Sequence, residues 1–158
     1  MAAAIGAPAP AIELPGTDGS EEGRRTYTLE EYRGQPVVVV FYPGDNTPVC
    51  TRQLNAYTND IDAFRDVKAQ ILAISPQSVE SHESFSCSQN GFAFPLLADT
   101  EKAVAAAYGV LGPLGFYRRS AFVIDAEGII RYSHRAVAGL IFRPTDELVA
   151  AVRATVEA

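Results

Sequence analysis

The chain has 158 residues, the size of one domain on the usual prior of roughly 100–200 residues. Hydrophobic residues make up 47% and charged residues 20%, a balance that excludes disordered and collagen-like classes. A net charge of −6, from 13 basic and 19 acidic residues, repels a phosphate backbone and excludes nucleic acid as an expected partner.

The first fifteen residues lack a basic segment, and Pro8, Pro10 and Pro15 interrupt any apolar helix, so no signal peptide is expected. No stretch reaches the roughly 18 apolar residues of a membrane span. A cytoplasmic protein without a membrane partner is the expectation. Residues 15–25, rich in Gly and charge, read as a hairpin-like loop between two short strands. A helical turn over 29–32 follows, ended by Gly34. The run PVVVVFY over 36–42 does not alternate, which predicts a central strand buried on both faces. From Pro48 onward, Leu54, Tyr57, Ile61, Phe64 and Val67 recur at spacings of three and four, predicting one amphipathic helix over 48–67. A second buried strand is expected over 71–74. Next comes a helix over 78–90, capped by Ser78 and stopped at Asn90–Gly91. An extended piece over 94–97 and a short Ala-rich helix over 100–108 come next. Residues 121–124 and 129–133 read as a hairpin. The last helix starts at Thr145 and carries Leu148, Val152 and Val156 on one side. Strands alternating with helices, then a hairpin and a helix, suit an α/β domain over 1–158 with a mixed sheet flanked by helices. A thioredoxin-like layout with an N-terminal β extension is one such solution.

The chemistry is concentrated in FYPGDNTPVCT, residues 41–51, which joins the buried strand to the long helix. Thr47 has the side chain of an N-cap, and Pro48 suits the first helical position because its missing N–H is not needed there. Cys50 then falls at the third helical position. A thiol there faces unpaired backbone N–H groups and the positive end of the helix dipole, both of which favour thiolate over thiol. Ionisation alone is a modest gain: an ordinary thiol is already a few per cent thiolate at pH 7, so full ionisation adds only about 30-fold. Larger acceleration needs donors that hold the substrate and stabilise charge on a departing atom. Thr47, three residues earlier, offers a hydroxyl at the same helix mouth.

The spacing Pro43, Thr47, Cys50 resembles the P-x-x-x-T-x-x-C signature of peroxiredoxins. Residues 119–128 (RSAFVIDAEG) are similar to the strand that carries the active-site Arg of that family. The Q-type, or bacterioferritin comigratory protein, subfamily is resembled most, along nearly the whole chain. The resemblance implies a thiol peroxidase in which Cys50 attacks the peroxide and becomes a sulfenic acid. It implies that Thr47 hydrogen-bonds the peroxide, that Arg119 stabilises thiolate and transition state, and that Pro43 shields the site from water. Gln53, one helical turn on, stands where the family has Glu or Gln and would orient the Arg. Arg118 reads as the surface member of the Arg pair. Two positions depart from the pattern. Val49 replaces a Gly and narrows the approach to the sulfur, and Asn55 stands where many members carry a resolving cysteine.

Another Q-type subgroup has its resolving cysteine in the next helix, and Cys87 matches that placement. A Cys50–Cys87 disulfide reduced by thioredoxin is the expectation the resemblance carries, with resolution by an external thiol as the alternative. The segment around Cys87 is a poor helix former with one large apolar anchor, Phe85, consistent with local opening. Rival readings find less support. Cys50, Cys87, His82 and His134 lack metal-ligand spacing, and both histidines read as solvated polar side chains. A thiol–disulfide oxidoreductase needs a cysteine where Thr47 stands. A non-catalytic thioredoxin-like interaction domain is the remaining alternative, and the presence of Thr47, Cys50 and Arg119 together weighs against it. Gly109, Gly112 and Gly115 follow no strand and read as a loop, so no nucleotide cofactor is expected. Two cysteines in a chain of this length point to a reducing compartment. Hydrogen peroxide or an organic hydroperoxide is the expected substrate. Phe92, Phe94, Phe116, Tyr117 and Phe142 read chiefly as core, with an apolar mouth for larger peroxides as the alternative. A monomer is expected.

Overall fold

Val37–Phe41, the β-branched run, is the strand around which the rest is ordered. In the computed structural model, residues 3–20, 23–136 and 142–157 are described. Chain order runs β1 (Glu13–Thr17), β2 (Arg25–Thr28), a 3-10 turn (Glu30–Tyr32), β3 (Val37–Phe41), α1 (Pro48–Asn59) and α2 (Ile61–Asp66). It continues with β4 (Gln70–Ser75), α3 (Val79–Ser88), β5 (Leu96–Ala98), α4 (Ala103–Tyr108), β6 (Ser120–Ile124), β7 (Ile130–Arg135) and α5 (Thr145–Glu157). The seven strands form one sheet in the order β2-β1-β5-β4-β3-β6-β7. β3 lies parallel to β4 and antiparallel to β6.

Because side chains alternate along a strand, a run apolar at every position can fill two cores at once. Val38, Val40 and Tyr42 enter one cluster with Leu54, Tyr57, Phe64, Phe85 and Leu148. Val37, Val39 and Phe41 enter the other, with Leu72, Tyr108 and Phe122. The mixed sheet with helices on both faces and an N-terminal hairpin agrees with the expected thioredoxin-like layout.

Three local readings change. The single helix expected over 48–67 is broken at Asp60 (φ −100°, ψ 18°) into α1 and α2. Apolar spacing continues through the break because Tyr57 and Phe64 meet edge to face at 6.0 Å. The break itself is held from outside: the Thr145 hydroxyl, at the start of α5, donates to Asp60 Oδ2 at 2.8 Å. The loop expected over 15–25 gives up Pro15, Gly16 and Thr17 to β1, while residues 21 and 22 lie outside the described ones. Gly16 is required there, since a Cβ would stand 2.7 Å from the Leu96 carbonyl oxygen and 2.9 Å from the Tyr27 ring. Finally, the short extended piece is a full member of the sheet, with β5 placed between β1 and β4.

α3 begins as expected, with the Ser78 hydroxyl accepting from the Ser81 N–H at 3.1 Å. It ends ahead of Asn90 (φ 62°) and Gly91 (φ 87°), both left-handed. In α5, Leu148 and Val152 are fully buried, and the Val156 side chain lies outside the described ones. Gly109, Gly112 and Gly115 fall in the connection between α4 and β6, which contains a 3-10 turn (Pro113–Gly115) closed by an isolated bridge between Leu111 and Tyr117.

Candidate active site

β3 delivers the chain to the site and α1 receives it. After Phe41 and the buried Tyr42, the backbone turns through Pro43–Asn46, and Asn46 takes a left-handed φ of 61° to re-aim it. Thr47 is extended (φ −86°, ψ 149°), Pro48 opens the helix, and Cys50 sits in its first turn. The position is as expected, yet the Thr47 side chain makes no capping bond. Its hydroxyl instead donates to the Gly44 carbonyl at 3.0 Å. The hydroxyl hydrogen is thereby committed to the loop, and the oxygen presents lone pairs. Helical bonding starts with Thr51 N donating to the Thr47 carbonyl at 2.9 Å. The amides of Val49 and Cys50 precede that ladder and lie at the positive end of the helix.

The cation comes from the neighbouring strand, far along the chain. β6 pairs with β3 so that Ser120 faces Phe41, which places Arg119 beside Tyr42, one residue past the ladder. Arg119 Nη2 donates to the Cys50 sulfur at 3.2 Å, and Nη1 donates to Gln53 Oε1 at 2.5 Å. Cys50 is 0% exposed, Gln53 1% and Arg119 4%, so the contact is shielded from water. A hydrogen bond from a guanidinium is stronger at that depth than at an exposed position. Gln53 is neutral: it fixes the guanidinium by a hydrogen bond without cancelling its charge. Arg118 is half-buried rather than a surface residue, and donates from Nε to the Ala136 carbonyl at 3.1 Å.

Behind Gln53 lies a line of partners that sequence reading missed. Gln53 Nε2 donates to the Tyr57 hydroxyl at 3.4 Å, and that hydroxyl donates to the Arg143 carbonyl at 2.7 Å. Burial pushes the Tyr57 phenol up to about 12, so it stays a neutral donor. Tyr57 read only as a core residue; its i,i+4 spacing from Gln53 was the available signal. Pro43 is half-buried at the head of the loop.

Cys87 is exposed on α3, with its sulfur 3.9 Å from the Gly19 carbonyl, and both cysteines are free thiols. His82 contradicts the solvated reading: it is 0% exposed, with Nδ1 2.7 Å from Asp45 Oδ2. Its partner comes 37 residues earlier in the chain, a relation no local spacing reveals. His134 is half-buried on β7 and its imidazole is held below the usual range by burial. Among the described residues no cluster of three or more His, Cys, Asp or Glu could hold a metal ion. The aromatic residues divide: Phe92 and Phe94 are core, Tyr117 belongs to the opposite core, and Phe116 is 68% exposed. Phe142 packs edge to face on Tyr57 at 5.9 Å. They do not form one mouth.

Residues 5–133 match the family model described as AhpC/TSA family. The chain belongs to that family. The peroxiredoxin Bcp of Xanthomonas campestris is 33% identical over 154 residues, covering 93% of this chain and 92% of its own. A solved structure of the Xanthomonas campestris bacterioferritin comigratory protein, described for its alkyl peroxide reduction activity, superposes with a TM-score of 0.77. Its identity is 32%, with 90% of each chain covered. Mycobacterium bovis AhpC superposes with a TM-score of 0.88 at 29% identity, covering 98% of this chain and 93% of its own. The Q-type resemblance agrees with these relatives, and the protein is a thiol-dependent peroxidase of the peroxiredoxin family.

Proposed function

We propose that Cys50 is the nucleophile that reduces hydrogen peroxide and organic hydroperoxides, that Cys87 resolves it, and that a thioredoxin-type dithiol returns both cysteines to thiols. The observation that carries this reading is the buried 3.2 Å contact between the Arg119 guanidinium and the Cys50 sulfur at the first turn of α1. The sulfur donates an electron pair to the terminal peroxide oxygen, and the O–O bond breaks. Sulfur keeps that OH as a sulfenic acid, and the other oxygen leaves with the bonding pair as alkoxide or hydroxide, which takes a proton from water. Arg119 and the amides of Val49 and Cys50 act on the charge moving between sulfur and oxygen. Thr47, its own hydrogen committed to Gly44, accepts the hydrogen of the peroxide. Pro43 closes the loop side, and Gln53 holds Arg119 in aim. The thiol of Cys87 then displaces the sulfenic OH as water, forming the disulfide.

The Xanthomonas relative described for alkyl peroxide reduction supports the organic hydroperoxide class. One continuous seven-stranded sheet supports reading 1–158 as one domain. Two free cysteines support a reducing cytoplasm. No helix among the described residues is long and apolar enough to cross a membrane. Only Ile5, Leu114 and Phe116 are exposed large apolar side chains among the described residues, which supports a monomer.

The experiment is peroxide consumption coupled to thioredoxin and its reductase, with non-reducing mass spectrometry after one equivalent of peroxide. Cys50→Ser is expected to abolish turnover. Cys87→Ser is expected to retain one rapid turnover and accumulate sulfenic acid. Wild-type protein that accumulates sulfenic acid without a 50–87 cross-link refutes internal resolution.

A further inference from the structure

A second buried polar cluster lies behind the Cys50 loop. The Asp45 carboxyl, 1% exposed, accepts the Tyr42 hydroxyl on Oδ1 at 2.7 Å and the Ser81 hydroxyl on Oδ2 at 2.7 Å. Oδ2 also faces His82 Nδ1 at 2.7 Å. The other ring nitrogen, Nε2, faces the Leu97 carbonyl at 2.9 Å. A carbonyl oxygen only accepts, so Nε2 carries a hydrogen. The line between Nδ1 and the carboxyl then needs a second proton, on ring or carboxyl. The two residues therefore form a proton-sharing pair sealed from water. The Asp45 N–H is held as well, donating to Gln77 Oε1 at 2.5 Å.

These bonds join two segments with separate tasks. Asp45 belongs to the Pro43–Asn46 turn, whose Gly44 carbonyl takes the Thr47 hydroxyl. Ser81 and His82 belong to α3, which carries Cys87 near its C-terminal end. The polar ties that hold α3 elsewhere are nearer water: Arg24 to Glu83 at 2.7 Å, with side chains 41% and 25% exposed, and Asn55 Nδ2 to Gln89 at 2.9 Å. Cys50 is fully buried while Cys87 is exposed, so at least one of the two changes its surroundings before the sulfurs can bond.

We infer that the Asp45–His82 pair is the latch that keeps α3 closed on the Cys50 loop, and that its release sets the rate of disulfide formation. Asp45 and His82 are positioning residues in this scheme; neither touches the reacting atoms. The latch separates the two halves of the reaction. While it is shut, Arg119, Thr47 and Cys50 stay in register for peroxide, and the sulfenic acid forms in a closed site. Once it opens, the Cys87 sulfur forms the S–S bond as the S–O bond of the sulfenic acid breaks, and water leaves. This inference rests on resolution by Cys87, and its test separates the two.

His82→Phe fills the cavity but removes the ring's hydrogen bonds, to Asp45, to the Leu97 carbonyl and the longer one to the Tyr42 hydroxyl at 3.4 Å; Ser81→Ala deletes one Asp45 bond more gently and serves if the first variant fails to fold. Amide hydrogen exchange over 79–88 is read in a Cys50→Ser background, where no disulfide can form. Quench-flow with a sulfenic-acid trap times oxidation and cross-linking separately. The expected result for His82→Phe is exchange over 79–88 at least tenfold faster, cross-linking at least fivefold faster, and sulfenic acid formation within twofold of wild type. Ser81→Ala should move the first two readouts in the same direction by less. Unchanged exchange in both variants overturns the latch. So does faster exchange with an unchanged cross-linking rate in protein that does form the 50–87 bond. Wild-type protein that forms no such bond sinks resolution by Cys87, and the latch as a tie between helix and loop then stands or falls on exchange alone.

Discussion

Arg119 is a cation almost wholly out of water, 4% exposed, and the groups around it decide where its charge is felt. Gln53 accepts from Nη1, while Nη2 donates to sulfur. Gln53→Leu keeps most of the volume but strands a buried donor on the guanidinium. Losing a hydrogen bond to a charged group costs about 1.5–3 kcal/mol. The expected outcome is a second-order rate with peroxide lowered roughly 10- to 100-fold at pH 7, measured by stopped flow. An unchanged rate would mean Arg119 needs no aim from helix α1. Thr47 is tested at the same scale. Thr47→Val keeps the shape without the oxygen and is expected to slow peroxide reduction about 10²–10³-fold, the range for loss of one transition-state hydrogen bond. Thr47→Ser should recover most of it. The placement of positions 47 and 50 at the helix mouth was legible because hydroxyl, proline and thiol lie within one helical turn, although the hydroxyl turns to the Gly44 carbonyl rather than capping the helix. Tyr57, Asp45 and His82 were not, since each gains its meaning from a partner brought in by the fold.

At the scale of the element, α3 shows how weak intrinsic helicity is offset by a few anchors. Its sequence, VESHESFSCS, is short of strong helix formers. Phe85 is fully buried, 5.1 Å from the Phe92 ring and 6.5 Å from Tyr42. Phe85→Ala is expected to cost about 3–5 kcal/mol, measured by urea denaturation, because the neighbouring aromatic rings cannot all collapse into the space. A loss below about 1 kcal/mol would show that the site repacks. Phe85 was marked correctly as the apolar anchor, but His82, three residues earlier on the same buried side, was read as solvated from its polarity alone. The reason is physical: a histidine is placed by its hydrogen-bond partners, and both partners lie on other elements. The same limit applies to α1 and α2. Their apolar spacing is continuous, while the break at Asp60 depends on Thr145 from the last helix.

Across the whole molecule, the phenols knit helices and loops to the sheet and give stability a dependence on alkaline pH. Burial pushes Tyr57 up to about 12 and raises Tyr42 and Tyr108 as well, with the Asp45 carboxylate adding to the shift at Tyr42. In the unfolded chain each phenol ionises near its ordinary value of about 10. The native state therefore holds more protons above that pH, so the stabilisation is complete below pH 10 and falls as pH rises. Each such group contributes a slope of about 1.4 kcal/mol per pH unit between its unfolded and folded values. Unfolding free energies measured between pH 9 and pH 11.5 should drop steeply above 10, and Tyr57→Phe should make the drop shallower. A flat profile would count against buried neutral phenols. What the amino-acid order determined alone was the junction of a two-sided strand with a helix opening on Thr47, Pro48 and Cys50, because β-branching and the fixed φ of proline act between neighbours. What only the tertiary structure decided was the direction of the Arg119 charge, which crosses 69 residues of chain to reach the sulfur, and the burial of His82 against Asp45. Those follow from strand register and helix packing, and such contacts exist only once the sheet has brought distant segments side by side.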